Sequence, residues 1–156
     1  MIGKALLPAL RQARVRAFGA SRADLDLRDI PQNYAARFEA EVGEHIDVVY
    51  ICAAVTRFID CEADEDAYSI NVDAPAEIAR QFNWARIVYL SSEAVERALH
   101  TNYGMHKALA EMGLNAVCAP VVVRLSKVGA ATLGSACAFL ASLATARPGI
   151  YRWRVA

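Results

Sequence analysis

A tyrosine and a lysine four residues apart, Tyr103 and Lys107, come shortly after the apolar run Arg86-Ile87-Val88-Tyr89-Leu90-Ser91-Ser92. Four residues is about one helical turn, so the phenol and the ammonium share a helix face. If that helix starts beside the end of the serine run, hydroxyl, phenol and ammonium converge on one point. Such a trio suits proton transfer at a carbonyl or alcohol, the partner step of hydride transfer. The ammonium is expected to stabilise phenolate and draw the Tyr103 phenol below its ordinary value near 10. The Ser92 hydroxyl can hold the substrate oxygen while Tyr103 passes the proton. Tyr and Lys are common at helical spacing, and the bland alternative is a half-exposed Tyr beside a solvated Lys. The preceding strand ending in Ser-Ser is what gives the pair its weight.

The elements that must position these groups alternate along the chain. Ile2 to Gln12 reads as a helix with an apolar stripe of Leu6, Leu7 and Leu10, Pro8 falling in its early turns. Val15 to Gly19 alternates as a strand would, and Ser21 to Asp29 is polar enough for a loop. Pro31 to Val42 reads as a helix opened by Pro31. Ile46 to Ala54 is a near-continuous apolar run, as expected of a parallel strand buried on both faces. A helix from about Asn71 to Phe82 and a strand over Ile87–Leu90 follow. The Tyr103 helix is expected to stop at about Met112, before Gly113. Ala116 to Leu125 reads as the next strand and Leu133 to Ala144 as another helix. Repeated strand–helix alternation predicts an α/β fold, a doubly wound parallel sheet covered on both faces.

Composition narrows the function further. The 156 residues make one domain with room for a core. Seventeen basic and seventeen acidic side chains balance, so no footprint for nucleic acid or a membrane surface is present. No apolar run reaches membrane-spanning length, and the opening residues are too quickly charged for a signal peptide. Cys52, Cys61, Cys118 and Cys137 are scattered, without metal-ligand spacing, and no metal site is expected. Reduced cysteines fit a cytoplasmic location. His45, His100 and His106 show no pairing, and His106 is read as facing away from Tyr103.

In this order the motifs resemble the extended short-chain dehydrogenase/reductases, the NAD-dependent epimerase/dehydratase superfamily, and within it the dTDP-4-dehydrorhamnose reductase-like sugar-nucleotide branch. Met1-Ile2-Gly3-Lys4-Ala5-Leu6 resembles the end of the family's glycine-rich dinucleotide loop, and Asp26-Leu27 the acidic-apolar pair that contacts adenine. Asp47 to Ala54 resembles the strand ending in Ala53-Ala54 beside the cofactor. Ile70-Asn71-Val72 resembles the family's helix start, where Asn71 on its own would serve as a cap. Ser92, Tyr103 and Lys107 match the catalytic triad. Val122 to Val128 resembles the segment where nicotinamide and substrate meet.

The resemblance implies a Rossmann-like fold and an NADP or NAD cofactor, with Tyr103 as proton donor, Lys107 as its partner and ribose ligand, and Ser92 as carbonyl holder. Gly3, Ala53 and Ala54 would approach the cofactor closely. Arg22, after the second strand, would clamp a ribose 2′-phosphate and favour NADP. Arg124 would meet a substrate phosphate or lie at the rim.

Against the family pattern, the first strand and the first two glycines of the loop are missing. The Ser92–Tyr103 interval is short, and the chain ends near Trp153, where the family's C-terminal substrate region would begin. The expectation is therefore a single partial NAD(P)-binding domain over 1–156. It would reduce a 4-keto sugar nucleotide or shuttle hydride in an epimerisation. The alternative is a catalytically inactive relic or regulatory nucleotide-binding module of the same fold. Exposed sheet edges imply self-association or a covering partner protein.

Overall fold

The computed structural model describes residues 2–154; Met1 of the expected dinucleotide loop and the final residues 155–156 lie outside them. Four parallel strands, β1 (Val48–Ile51), β2 (Arg86–Ser92), β3 (Val121–Leu125) and β4 (Gly149–Trp153), lie side by side in chain order. The register aligns Tyr50 with Val88, Ser91 with Arg124 and Ser92 with Leu125. Each strand is reached by a crossover containing helix, as parallel pairing requires. The helices are α1 (Ile2–Gln12), α2 (Tyr34–Val42), α3 (Phe58–Ala63), α4 (Ala74–Gln81), α5 (Ala94–Arg97), α6 (Asn102–Val117) and α7 (Leu133–Ser142). A π-helical turn, Ser69–Asp73, leads directly into α4.

The apolar strand runs split between two cores because successive side chains alternate faces. Val88 and Leu90 of β2 join Val121, Val123 and Leu125 of β3 beneath α1 and α7, through Leu6, Leu10, Cys137 and Leu140. Ile87 and Tyr89 face the opposite way, against Ala35 of α2, Ile78 and Ala79 of α4, and Ala110 and Leu114 of α6. The expected doubly covered parallel sheet is what forms.

Five expectations change. Val15 to Gly19 is not a strand: Val15 and Phe18 are 37% and 39% exposed, and the stretch joins no ladder of the sheet. Arg14 turns the chain out of α1 with φ of 59°, and the Val15 N–H bonds back to the Leu10 carbonyl at 2.9 Å. A strand needs a neighbour to pair its backbone, and among the described residues this stretch pairs with none.

The helix after Pro31 starts three residues later, Pro31 only accepting a turn hydrogen bond from the Tyr34 N–H at 3.0 Å. The Ile46–Ala54 run yields only the four residues Val48–Ile51 as strand, its two ends serving as connections. The Tyr103 helix passes through Gly113 to Val117, which removes Ala116 and Val117 from the strand expected there. Burying Leu114 completely, worth roughly 2 kcal/mol, outweighs the roughly 1 kcal/mol helical cost of a glycine. Finally, Gly149–Trp153 forms an edge strand that was not anticipated.

Candidate active site

Ser92, the last residue of β2, opens the C-terminal edge of the sheet, where parallel α/β folds place their ligands. Its hydroxyl accepts from the Ala94 N–H at 3.1 Å, which starts α5 immediately beyond it. Tyr103 stands in the first turn of α6. That helix is capped by Thr101, whose hydroxyl accepts from the Gly104 N–H at 3.1 Å, while the Asn102 N–H is held by Glu62 of α3 at 2.9 Å. Gly104 is required here. A β-carbon on it would lie 2.1 Å from the Ala98 carbonyl oxygen, so only glycine lets α6 pass so close to the end of α5.

The structure brings the Ser92 hydroxyl close enough to the Tyr103 phenol to act on it. Burial raises the Tyr103 phenol above its ordinary value and the Ser92 hydroxyl lowers it in part. This corrects the expected downward shift: the phenol is held in its acid form. The reason is the place of Lys107. It is only 3% exposed, and its Nζ donates to the Tyr89 hydroxyl at 3.1 Å and to the Leu90 carbonyl at 2.9 Å, beneath β2. Burial pushes the Lys107 ammonium down to about 8, against the opposing pull of Cys61, Cys52 and Glu111. Phe58 of α3 meets Tyr103 edge to face, with ring centroids 5.4 Å apart.

The cofactor-side residues divide. Gly3, in the first turn of α1, lies over the end of β1, where an added β-carbon would sit 3.5 Å from Cys52 Cβ. Cys52 is in turn within the field of Lys107, so the α1 N-terminus and Lys107 share this corner. The orphan N–H groups and positive dipole end of α1 suit a pyrophosphate. Ala53 and Ala54 follow β1 directly, keeping that approach free of large side chains.

At the expected adenine end the acidic side chain is already engaged. The Asp26 carboxylate is taken by Arg28, whose Nε donates to Oδ1 at 2.9 Å and which also pairs with Asp66 at 3.5 Å. Arg28 holds the Asp26 carboxyl well below the usual carboxylate range. Leu27 is half-buried beside the α2 core, and Arg22 is exposed on a turn.

Other side chains take roles that differ from the sequence reading. Asn71 does not cap a helix. Buried within the π turn, it accepts from the Val55 N–H at 2.8 Å and donates to the Val55 carbonyl at 3.0 Å, stapling the loop after Ala53-Ala54. Arg124 does not face open solvent: its Nε and Nη2 donate to Glu111 at 3.0 and 2.6 Å, and its Nη1 to Glu96 at 2.7 Å. Glu111 and Glu96 were not singled out from the sequence, although the Lys107–Glu111 spacing of one turn places both on a single face. His106 is 6% exposed, with Nδ1 buried and unpartnered. Among the described residues no group of three or more His, Cys, Asp or Glu is arranged to hold a metal, and no helix is long and apolar enough to cross a membrane.

A parallel sheet covered on both faces, with a serine–tyrosine pair and a buried lysine at its C-terminal edge, defines a Rossmann-like α/β domain. The profile of the family described as the RmlD substrate binding domain matches residues 1–151, and the chain belongs to that family. Solved structures agree in fold. A dTDP-4-dehydrorhamnose reductase from Clostridium acetobutylicum superposes with a TM-score of 0.81 at 17% identity, over 99% of this chain and 71% of that one. A hypothetical dTDP-4-dehydrorhamnose reductase from Sulfolobus tokodaii gives 0.72 at 21% identity, over 97% and 71%. Pal from Bacillus thuringiensis gives 0.74 at 14%, over 98% and 74%. No curated protein matches by sequence.

Proposed function

We propose that this chain is a nicotinamide-dependent reductase-type domain acting on a keto-sugar nucleotide, with NADP favoured over NAD. The observation that carries this reading is the placement of Ser92 beside the Tyr103 phenol, with buried Lys107 one helical turn on, at the C-terminal edge of a parallel sheet. Membership of the RmlD substrate binding domain family and the reductase names of two structural neighbours support the substrate class.

In this reading Ser92 donates a hydrogen bond to the substrate carbonyl oxygen and fixes its distance from Tyr103. Because its phenol is raised, Tyr103 is protonated at neutral pH and hands its proton to that oxygen as negative charge develops there. Two of the three Lys107 N–H bonds are used within the protein; the third would be left for the tyrosinate or the cofactor ribose. The α1 N-terminus with Gly3, and the small Ala53-Ala54 exit, would hold the pyrophosphate. The bound cofactor would supply hydride. Phe58, packed on Tyr103, limits water at the phenol.

The test is turnover of dTDP-4-dehydrorhamnose with NADPH, followed by loss of reduced-nicotinamide absorbance. The wild-type chain should turn over, and Tyr103→Phe should lose roughly 10²- to 10⁴-fold in kcat. Equal rates in both would remove Tyr103 from the chemistry.

The second reading, a non-catalytic nucleotide-binding module, is favoured by the adenine end, where Asp26 is tied to Arg28 and Val15–Gly19 forms no strand. Calorimetric titration with NADPH and NADH separates the two. Binding without turnover supports the module, and binding with turnover supports the reductase.

A further inference from the structure

Resting on the reductase reading, we propose that Glu111 is a positioning residue: with Arg124 it forms a clamp that brackets Ser92 from both sides and sets its contact with Tyr103.

Glu111 lies on α6 one turn beyond Lys107 and two beyond Tyr103, and is 6% exposed. Its Oε1 accepts from the Ser91 hydroxyl at 2.5 Å and from Arg124 Nε at 3.0 Å, while Oε2 accepts from Arg124 Nη2 at 2.6 Å. Ser91 and Arg124 are register partners across β2 and β3. One carboxylate thus ties the tyrosine helix to both strands at the level just before Ser92. The third arm of Arg124 reaches Glu96 on α5, the helix that begins just after Ser92. Arg152 of β4 grips the same Glu96 oxygen, its Nε at 3.2 Å. The residue before Ser92 and the helix after it are therefore held by one connected network.

Stability alone is a poor account of this arrangement. A buried ion pair forfeits solvation comparable to what its attraction returns, and apolar replacements of similar volume are often as stable. What the bidentate pair supplies is direction, because the guanidinium fork fixes the plane of the carboxylate. Apart from the flexible Lys107 side chain, which bonds Tyr89 and Leu90, the other contacts of α6 with the sheet, Ala110 and Leu114 against Ile87 and Tyr89, are apolar and tolerate small slides. A shift of about 1 Å at reacting groups is enough for roughly a hundredfold loss of rate. The clamp sits where such a slide would separate Ser92 from Tyr103.

The test compares wild type, Ser91→Ala, Glu111→Gln and the neutral pair Glu111→Gln/Arg124→Met in the NADPH assay with dTDP-4-dehydrorhamnose, alongside thermal melting. For Ser91→Ala and Glu111→Gln the expectation is a fall in kcat of roughly tenfold or more, with KM changed by less than about threefold. The neutral pair should recover most of the melting temperature lost by Glu111→Gln, because no buried charge is left unpaired, without recovering kcat. If kcat follows the melting temperature, or a folded Glu111→Gln keeps wild-type kcat, the positioning role is wrong. An inactive wild type would refute the reductase reading instead. The clamp is then judged by NMR titration of the chain carrying ¹³C-labelled tyrosine, with Tyr103 assigned through Tyr103→Phe. Both single variants should move the Tyr103 titration while leaving Tyr50 in place. An unmoved Tyr103 would overturn the proposal.

Discussion

The β2–α6 corner and the Val15–Asp29 stretch both carry residues expected at the site, yet they are built by opposite means. At the corner, Tyr89, Ser91, Lys107 and Glu111 are each less than 9% exposed, and every polar group named on them finds a partner across two elements. In the stretch, Arg22 is exposed and Asp26 half-buried, and the Asp26 carboxylate meets its near neighbour Arg28 in a local turn. Long-range contacts fix geometry, whereas local ones fix only a turn. The proton-transfer side of the site is thus set by the fold itself, and the adenine side is not. In the proposed reading the chemical step would rest on α6, and cofactor affinity on residues held by local turns.

Substitutions at the two regions should differ sharply. The largest effect is expected at Gly104→Ala, where the new β-carbon meets the Ala98 backbone carbonyl at 2.1 Å and neither partner can yield. A loss of about 3 kcal/mol or more should appear in urea unfolding.

Next is Lys107. Its folded value is about 8 against an ordinary 10.5, so between those values the unfolded chain binds more protons and stability rises with pH. Below pH 8 the burial cost is present in full; by pH 10.5 it is relieved, by about 3 kcal/mol at most. Lys107→Met should abolish that rise in denaturant unfolding measured across this window. If turnover needs the cation, the wild-type rate should also fall as pH rises through about 8.

In the stretch, Phe18→Ala should change stability by less than about 0.5 kcal/mol, since the ring is already 39% exposed. The smallest effect is expected for Asp26→Asn, which should leave the melting temperature unresolved from wild type because its ion pair is screened by solvent. A large loss at either position would erase the contrast.

The difference between the regions also explains what the sequence could disclose. The strand ending at Ser92 and the helix carrying Tyr103 and Lys107 were legible because apolar periodicity and a one-turn spacing are local signals. Val15–Gly19 misled for the converse reason: its alternation is real, but a strand exists only if another lies beside it. Gly113 read as a helix stop, yet the burial of Leu114 just beyond it prevailed. The phenol shift of Tyr103 had the wrong sign because spacing says that Lys107 is near, and not that Tyr89 and Leu90 claim its protons. Arg124 was noticed as an unusual charge at a strand end, but its partner Glu111 comes from another element. No pattern in one dimension joins them. Asn71 likewise looked like a cap until the fold put the Val55 backbone against it.

Amide hydrogen exchange of the chain without any cofactor is the most direct test of the contrast. The account predicts slow exchange, approaching the global unfolding limit, across Ile87–Ser91 and Lys107–Leu114, with the amides of Arg16–Gly19 exchanging at once. Rapid exchange in α6 and β2 before any ligand is added would contradict it, because the candidate site would then not be assembled by the fold.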